Sequence, residues 1–298
     1  MEYRDFGSTG LRVSVLGLGA GQIGDARLDE TEVARLLHFA VDQGITLFDT
    51  ARGYGLSEER LGRHLGHQRQ QLVISTKVGY DMAGHADWSP GCIRAGVDSA
   101  LQRLQTDYLD IVHLHSCSLA VLQQGDAIRA LQDAQQAGKI RVIAYSGEND
   151  ELAWAVNSGL FGSVEHSLSL CDQRVIQQTL PQASAAGLGV IAKRPVANAP
   201  WRFAACPVGE YAEEYWWRWD TMRQRDPDLL PPGLEWQELA LRFSAYTPGV
   251  SSIIVGTANP AHLHHNVSLL NGPLPDDEYR RLREAFHRQD PGWWVGQV

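Results

Sequence analysis

The chain has 298 residues, 44% hydrophobic and 20% charged, which is enough apolar material for a sizeable core and argues against disorder. Lys and Arg number 26 against 35 Asp and Glu, a formal net charge of -9. No basic surplus therefore invites nucleic acid or an anionic membrane, although a local basic pocket for a small phosphate is compatible with this balance. Cys92, Cys117, Cys171 and Cys206 have neither CxxC spacing nor a paired framework, the pattern expected of thiols in a reducing compartment.

The first residues, MEYRDFGSTGLRVSVLGLG, place acids and glycines where a signal peptide needs a basic stretch and a long apolar run. No apolar run reaches the roughly twenty residues that span a bilayer. The expectation is a soluble, cytoplasmic protein.

Along the chain, short apolar runs rich in β-branched residues alternate with longer stretches of helical periodicity, the pattern of βα units. Strands are expected at 13–18, 46–51, 72–77, 109–115, 141–146, 163–167, 190–194 and 252–256. The first helix is expected at 30–43, with Asp29 as its N-cap and Gly44 closing it; another, opened by Ser89-Pro90, runs to 105. Further helices are expected at 57–65, 126–137, 150–157, 173–186, 235–246 and 260–269, with a last one at 275–287. Several strands are apolar along their whole length, as in a parallel sheet covered on both sides. Eight such units predict an α/β fold in a single domain, a closed (β/α)8 TIM barrel. A doubly wound sheet is the rival, but Gly17, Gly19, Gly21 and Gly24 lack the GxGxxG spacing that it wants.

Residues 195–232 break the rhythm. They hold six of the thirteen prolines and Trp201, Trp216, Trp217 and Trp219, and form a long loop insertion after the seventh strand. Beside the active face of a barrel such an insertion reads as a lid over substrate or cofactor, or as a structural excursion packed by its own aromatics.

Polar residues at C-terminal strand ends are the default catalytic candidates of a barrel. Asp49 ends the second strand with Tyr54 shortly after it, Lys77 ends the third, and His113 and His115 end the fourth. Asp49 and Lys77 each follow an apolar run that buries the backbone, so each charge needs a partner; a plain ion pair tying two strands is one reading. The other involves Tyr54. A nearby ammonium stabilises a phenolate, which makes tyrosine a usable proton donor to a carbonyl oxygen. His113 and His115 point the same way on a strand and form an HxH pair that can bind metal. A metal-dependent hydrolase needs further ligands, and the eighth strand ends in Gly256-Thr257-Ala258 without a carboxylate.

The segments GITLFDTARGYGLSEERLG, LVISTKVG, LDIVHLH and GVSSIIVGTANPAHLHHN, each in place after its strand, resemble those of the aldo-keto reductase family, and the resemblance runs to about Asn266. It implies an N-terminal β-hairpin, an extra C-terminal helix, and a catalytic tetrad of Asp49, Tyr54, Lys77 and His115. Tyr54 would protonate the substrate oxygen while a nicotinamide delivers hydride. Lys77, positioned by Asp49, would depress the pKa of Tyr54, and His115 would orient the carbonyl, with His113 behind it. The implied partner is a small carbonyl or alcohol substrate.

The same resemblance implies that Gly19, Ala20, Gly21 and Asp49 lie under the nicotinamide and ribose and that Ser146 bonds the carboxamide. The family's neighbouring asparagine is Gly147 here, and its glutamine on the sixth strand is Ser163. Lys193 and Arg194 stand where many members have a tyrosine stacked on the ring. At the adenosine end, Gly256, Thr257, His262, His265 and Asn266 replace the family's basic set for the 2′-phosphate, while His264 reads as solvated helix surface. Thr257, His262 and a helix N-terminus favour NADP(H), with NAD(H) as the alternative. Trp88 and Trp201 are candidate substrate walls. Competing with an enzyme are a cofactor-bound regulatory barrel, which the family also includes, and the HxH metal hydrolase.

Overall fold

In the computed structural model, which describes residues 1–297, Val15 divides what reads as one strand in the sequence. Arg12–Ser14 (β2) pairs antiparallel with Tyr3–Asp5 (β1). Leu16–Gly19 (β3) then enters a different sheet, because the Val15 N–H goes to Glu2 while its carbonyl accepts from Ile253. Seven further strands follow: Leu47–Asp49 (β4), Val73–Val78 (β5), Leu109–His115 (β6), Ile140–Ser146 (β7), Ser163–Ser167 (β8), Gly189–Lys193 (β9) and Ser252–Gly256 (β10). They close into a barrel in the order β10-β3-β4-β5-β6-β7-β8-β9, with every neighbour parallel.

The helices are Glu30–Asp42 (α1), Ser57–Leu65 (α2), Pro90–Arg103 (α3), Leu119–Gln124 (α4), Asp126–Gln136 (α5) and Asn149–Asn157 (α6). Val175–Gln178 (α7), Leu180–Ala185 (α8), Glu213–Arg225 (α9), Trp236–Ala245 (α10), Pro260–Leu269 (α11) and Asp276–Gln289 (α12) complete the set. The expected caps form: the Asp29 side chain accepts from the Thr31 and Glu32 N–H groups, and Ser89 Oγ accepts from Cys92. One expected helix, 173–186, is two short ones, since Pro181 at the start of α8 has no N–H to continue α7. The insertion is not all loop either. Within it, α9 buries Tyr215, Trp216, Trp219 and Met222 at helical spacing, with Glu213 and Glu214 in its first turn and Arg223 and Arg225 in its last. No helix among the described residues is long and apolar enough to cross a membrane.

Alternation along the strands sorts the barrel interior into layers. Leu47, Val73, Ile111, Val142, Ala144, Ile191 and Ile254 form a lower apolar layer, which Phe6, Leu11 and Val13 of the hairpin join from below. Phe6 is fully buried, and the missing side chain of Gly189 makes room for it: a Cβ there would lie 2.4 Å from the Phe6 ring. Two residues further along the same strands, the interior turns polar.

Candidate active site

That polar layer holds Asp49, Ser75, Lys77, His113 and Glu165, all buried. Lys77 Nζ donates to Asp49 Oδ2 at 2.5 Å and to the Thr50 carbonyl at 3.1 Å, and stands 3.5 Å from Glu165 Oε1. Ser75 Oγ donates to Asp49 Oδ1 at 2.8 Å and lies 2.9 Å from His113 Nε2, which is 3.7 Å from Glu165 Oε2. Glu165 is the carboxylate that sequence reasoning missed. SVEHS carries no motif in isolation, and only the β7–β8 register, which sets Ser146 beside Glu165, brings it inward. Asp49, His113 and Glu165 hold ligand atoms within 4.8 Å of one another, the geometry of a metal site. The cation among them is the Lys77 ammonium. Of the HxH pair, that group includes His113 and not His115, whose Nδ1 faces Tyr80.

Tyr54 sits on the turn after β4. Thr50 Oγ1 donates to Ser57 Oγ, and Ser57 Oγ donates to the Ala20 carbonyl, each at 2.8 Å, tying this turn to the end of β3. Lys77 Nζ is 5.4 Å from the centre of the Tyr54 ring, and the His115 ring meets it edge-on at 6.2 Å. His115 Nδ1 lies 2.9 Å from Tyr80 Oη, and the two rings stack.

The electrostatics differ in one respect from the sequence expectation. Lys77 is the largest single influence on Tyr54 and lowers its pKa, but burial and the carboxylates of Asp49 and Glu165 outweigh it, and the phenol ends pushed up to about 12. The resting tyrosine is therefore fully protonated. Lys77 remains charged: burial works against its ammonium, yet Asp49 and Glu165 raise its pKa above the ordinary value. Burial, with the facing Glu165, pushes Asp49 up to about 7 against the pull of Lys77, whereas Lys77 and then His113 overcome burial and hold Glu165 below the usual carboxylate range. Burial first, and then Lys77, hold His115 down to about 3; burial holds His113 down to about 4. Both imidazoles are neutral.

Above this layer opens a cavity of about 1060 Å³, lined by Asp49, Tyr54 and His115 at one end and by Thr257, His262, His265 and Asn266 at the other. Gly19, Gly21, Ser146, Glu165, Lys193, Arg194 and Gly256 lie between them. Ser146 Oγ donates to Glu165 Oε1 at 3.2 Å, and Lys193 Nζ pairs with Glu148 Oε1 at 3.2 Å. Arg194 leaves the strand with φ 57 and donates to Ser167, Tyr211 and the Gln297 carbonyl. At the far end, Thr257 Oγ1 accepts from the Asn259 N–H at 3.0 Å, His265 pairs with Glu235 at 2.6 Å, and Asn266 Oδ1 accepts from Gln237.

Four expected contact residues do not line this cavity. Ala20 is fully buried and acts through its backbone, its N–H going to the Asp49 carbonyl. Ser163 points inward one layer below Glu165, level with Ala144 and Gly189, and its short hydroxyl is buried without a partner. Trp88 packs edge-on against Tyr80, and Trp201 stacks on Trp236, which also takes the edge of Trp219. Trp201, Trp216 and Trp219 pack the insertion and Trp217 is exposed, while Ala199, Arg202, Glu210, Tyr211 and Ala212 face the cavity. A long groove with glycines along one wall, a neutral imidazole and a protonated phenol at one end, and a helix N-terminus at the other fits a nicotinamide dinucleotide.

A model of the aldo/keto reductase family matches residues 15–202 and 232–286. The chain belongs to that family, which includes oxidoreductases of carbonyl and alcohol substrates. It is 31% identical over 293 residues to L-galactose dehydrogenase of Arabidopsis thaliana, covering 90% of this chain and 88% of that one. A probable voltage-gated potassium channel subunit beta of Oryza sativa subsp. japonica is 30% identical, with 98% of each chain covered. Among solved structures, the holo form of aldo-keto reductase AKR11C1 from Bacillus halodurans superposes with a TM-score of 0.80 at 28% identity over 96% of both chains.

Proposed function

We propose that this protein interconverts an aldehyde or ketone with the corresponding alcohol by hydride transfer, with Tyr54 as general acid and base. The observation that carries this reading is the buried Lys77 ammonium 5.4 Å from the centre of the Tyr54 ring, at the mouth of the cavity and beside His115. When bound, the nicotinamide supplies or accepts the hydride. Tyr54 gives its proton to the substrate oxygen in reduction and takes one back in oxidation. Donation leaves a phenolate, and Lys77, kept charged by Asp49 and Glu165, stabilises it. The lysine thus acts on the charge that develops and leaves the resting phenol protonated. His115 offers a neutral N–H to the same oxygen and orients it.

Gly19, Gly21, Asp49, Ser146, Lys193 and Arg194 would hold the nicotinamide half, and Gly256, Thr257, His262, His265 and Asn266 the adenosine half. Thr257, His262 and the N-terminus of α11 favour NADP(H). The second reading, NAD(H), has the Glu235 carboxylate in its favour: it pairs with His265 at 2.6 Å and so puts a negative group beside a residue expected to face the adenosine half, where it would disfavour a 2′-phosphate. Similarity to L-galactose dehydrogenase supports including aldoses, in the oxidising direction, among the substrates. Similarity to the channel subunit keeps a dinucleotide-binding barrel with little turnover as the alternative from another class. The test is a titration with NADPH and with NADH, followed by loss of nicotinamide absorbance across a panel of aldehydes, ketones and sugars. Turnover of at least one carbonyl is expected. Tight dinucleotide binding without turnover of any member, in either direction, would favour the regulatory barrel.

A further inference from the structure

The Tyr80 side chain lies outside the four residues of the proposed chemistry, yet it contacts one of them directly. Its Oη is 2.9 Å from His115 Nδ1, and the two rings are 5.4 Å apart at 29°. Among the described residues that ring nitrogen is the hydroxyl's one hydrogen-bond partner. Burial, then Lys77, keeps the imidazole neutral, and burial keeps the phenol protonated. A neutral imidazole has one N–H and one lone pair, and the nitrogen that carries the proton is set by the hydrogen bond at the other. Between a neutral phenol and a neutral imidazole the O–H is the stronger donor and the bare ring nitrogen the stronger acceptor, which favours donation from Tyr80 Oη to Nδ1. Nδ1 is then the acceptor and Nε2 carries the proton.

We propose that Tyr80 is a positioning residue that locks His115 in the Nε2–H tautomer, so that the nitrogen without a protein partner donates to the substrate oxygen. In the opposite tautomer a lone pair would face the lone pairs of the carbonyl, and the contact would repel. The loop is built to hold this hydroxyl in place. Gly79, at φ +147, leaves space that the Trp88 ring fills; a Cβ there would lie 1.9 Å from it. Trp88 in turn packs edge-on against Tyr80 at 5.9 Å. This gives Trp88 a role behind the site in place of the substrate wall expected from sequence.

The inference rests on the carbonyl chemistry proposed above, and Tyr80→Phe tests it, since that variant keeps the ring and removes the hydroxyl. In protein labelled with ¹⁵N at histidine, the His115 signals are identified by their loss in His115→Asn. The wild-type spectrum is expected to show Nε2 protonated and Nδ1 bare, and Tyr80→Phe a mixture of both tautomers. The kcat/KM for carbonyl reduction is expected to fall about tenfold, the worth of one neutral hydrogen bond. Dinucleotide affinity is expected to stay unchanged, and Tyr80→Phe to add no further loss in a His115→Asn background. A wild-type Nδ1–H tautomer, an unchanged tautomer in Tyr80→Phe, or an equal loss in the His115→Asn background would overturn the proposal. The spectra need no substrate, so a chain that reduced no carbonyl would sink the proposed function while the tautomer was still decided.

Discussion

Lys77 faces two carboxylates and a phenol, and the three pull on it in different ways. Asp49 holds it at 2.5 Å, Glu165 adds a second negative group at 3.5 Å, and Tyr54 awaits its charge from the side. Breaking a buried pair by removing one partner is costly because the other charge is left unpaired. Lys77→Met is therefore expected to destabilise the fold by about 3–5 kcal/mol in denaturant titration. Adding Glu165→Gln to that variant should recover part of the loss, because one of two repelling carboxylates is gone; no recovery would mean that Glu165 does not bear on this charge balance. Asp49, Tyr54, Lys77 and His115 were legible in the sequence because each ends, or closely follows, a strand whose apolar run is plain. Glu165 and Tyr80 were not, since one depends on the register of β8 and the other lies in the loop beyond Lys77. Ser163 fell outside the cavity for the same reason of register: two residues of strand are one full layer of a barrel.

At the scale of the element, the segment joining β5 to α3 links backbone geometry to the site. Gly79 has a positive φ that other residues rarely adopt, and Trp88 occupies the volume that a side chain there would need. Gly79→Ala should therefore displace Trp88 and Tyr80 together, costing about 1–3 kcal/mol of stability and a larger share of kcat than of dinucleotide affinity. Denaturation midpoints and binding titrations read the two effects separately; an Ala variant with wild-type kcat would contradict the coupling. The insertion teaches a different lesson. Its prolines and aromatics mark an excursion, but the spacing of Tyr215, Trp216, Trp219 and Met222 is helical, and the helix was hidden because aromatic residues and flanking prolines mask the usual polar and apolar alternation. The α7–α8 break was legible in principle, from Pro181.

At the scale of the whole molecule, eight strand signals in correct order made the barrel readable before any coordinates. Boundaries shifted by one to three residues in five of the eight strands, as at Val15, where the backbone changes partner, and at Arg194, where it leaves the strand. Closing the barrel encloses His113, His115 and His166, burial lowers the pKa of each, and this has a consequence for acid stability. Above about pH 6.5, the ordinary value for histidine, His113 and His115 are neutral in folded and unfolded chains alike, so they contribute no pH dependence there. Below it the unfolded chain takes up protons that the folded chain refuses. Stability is lost as pH falls toward about 4 for His113 and about 3 for His115. His113→Gln should flatten the fall of Tm between pH 6.5 and 4 relative to wild type; an unchanged slope would mean that His113 is not buried neutral.

The most direct measurement replaces Tyr54 with phenylalanine and follows two quantities in the same preparation, dinucleotide binding by quenching of tryptophan fluorescence and turnover of the best substrate of the carbonyl panel. The account predicts a dissociation constant close to that of the wild type and a kcat reduced by at least about a hundredfold, the lower end of what a positioned proton donor supplies. A Tyr54→Phe protein that kept most of its kcat would contradict it, because the proton would then reach the substrate oxygen by another route.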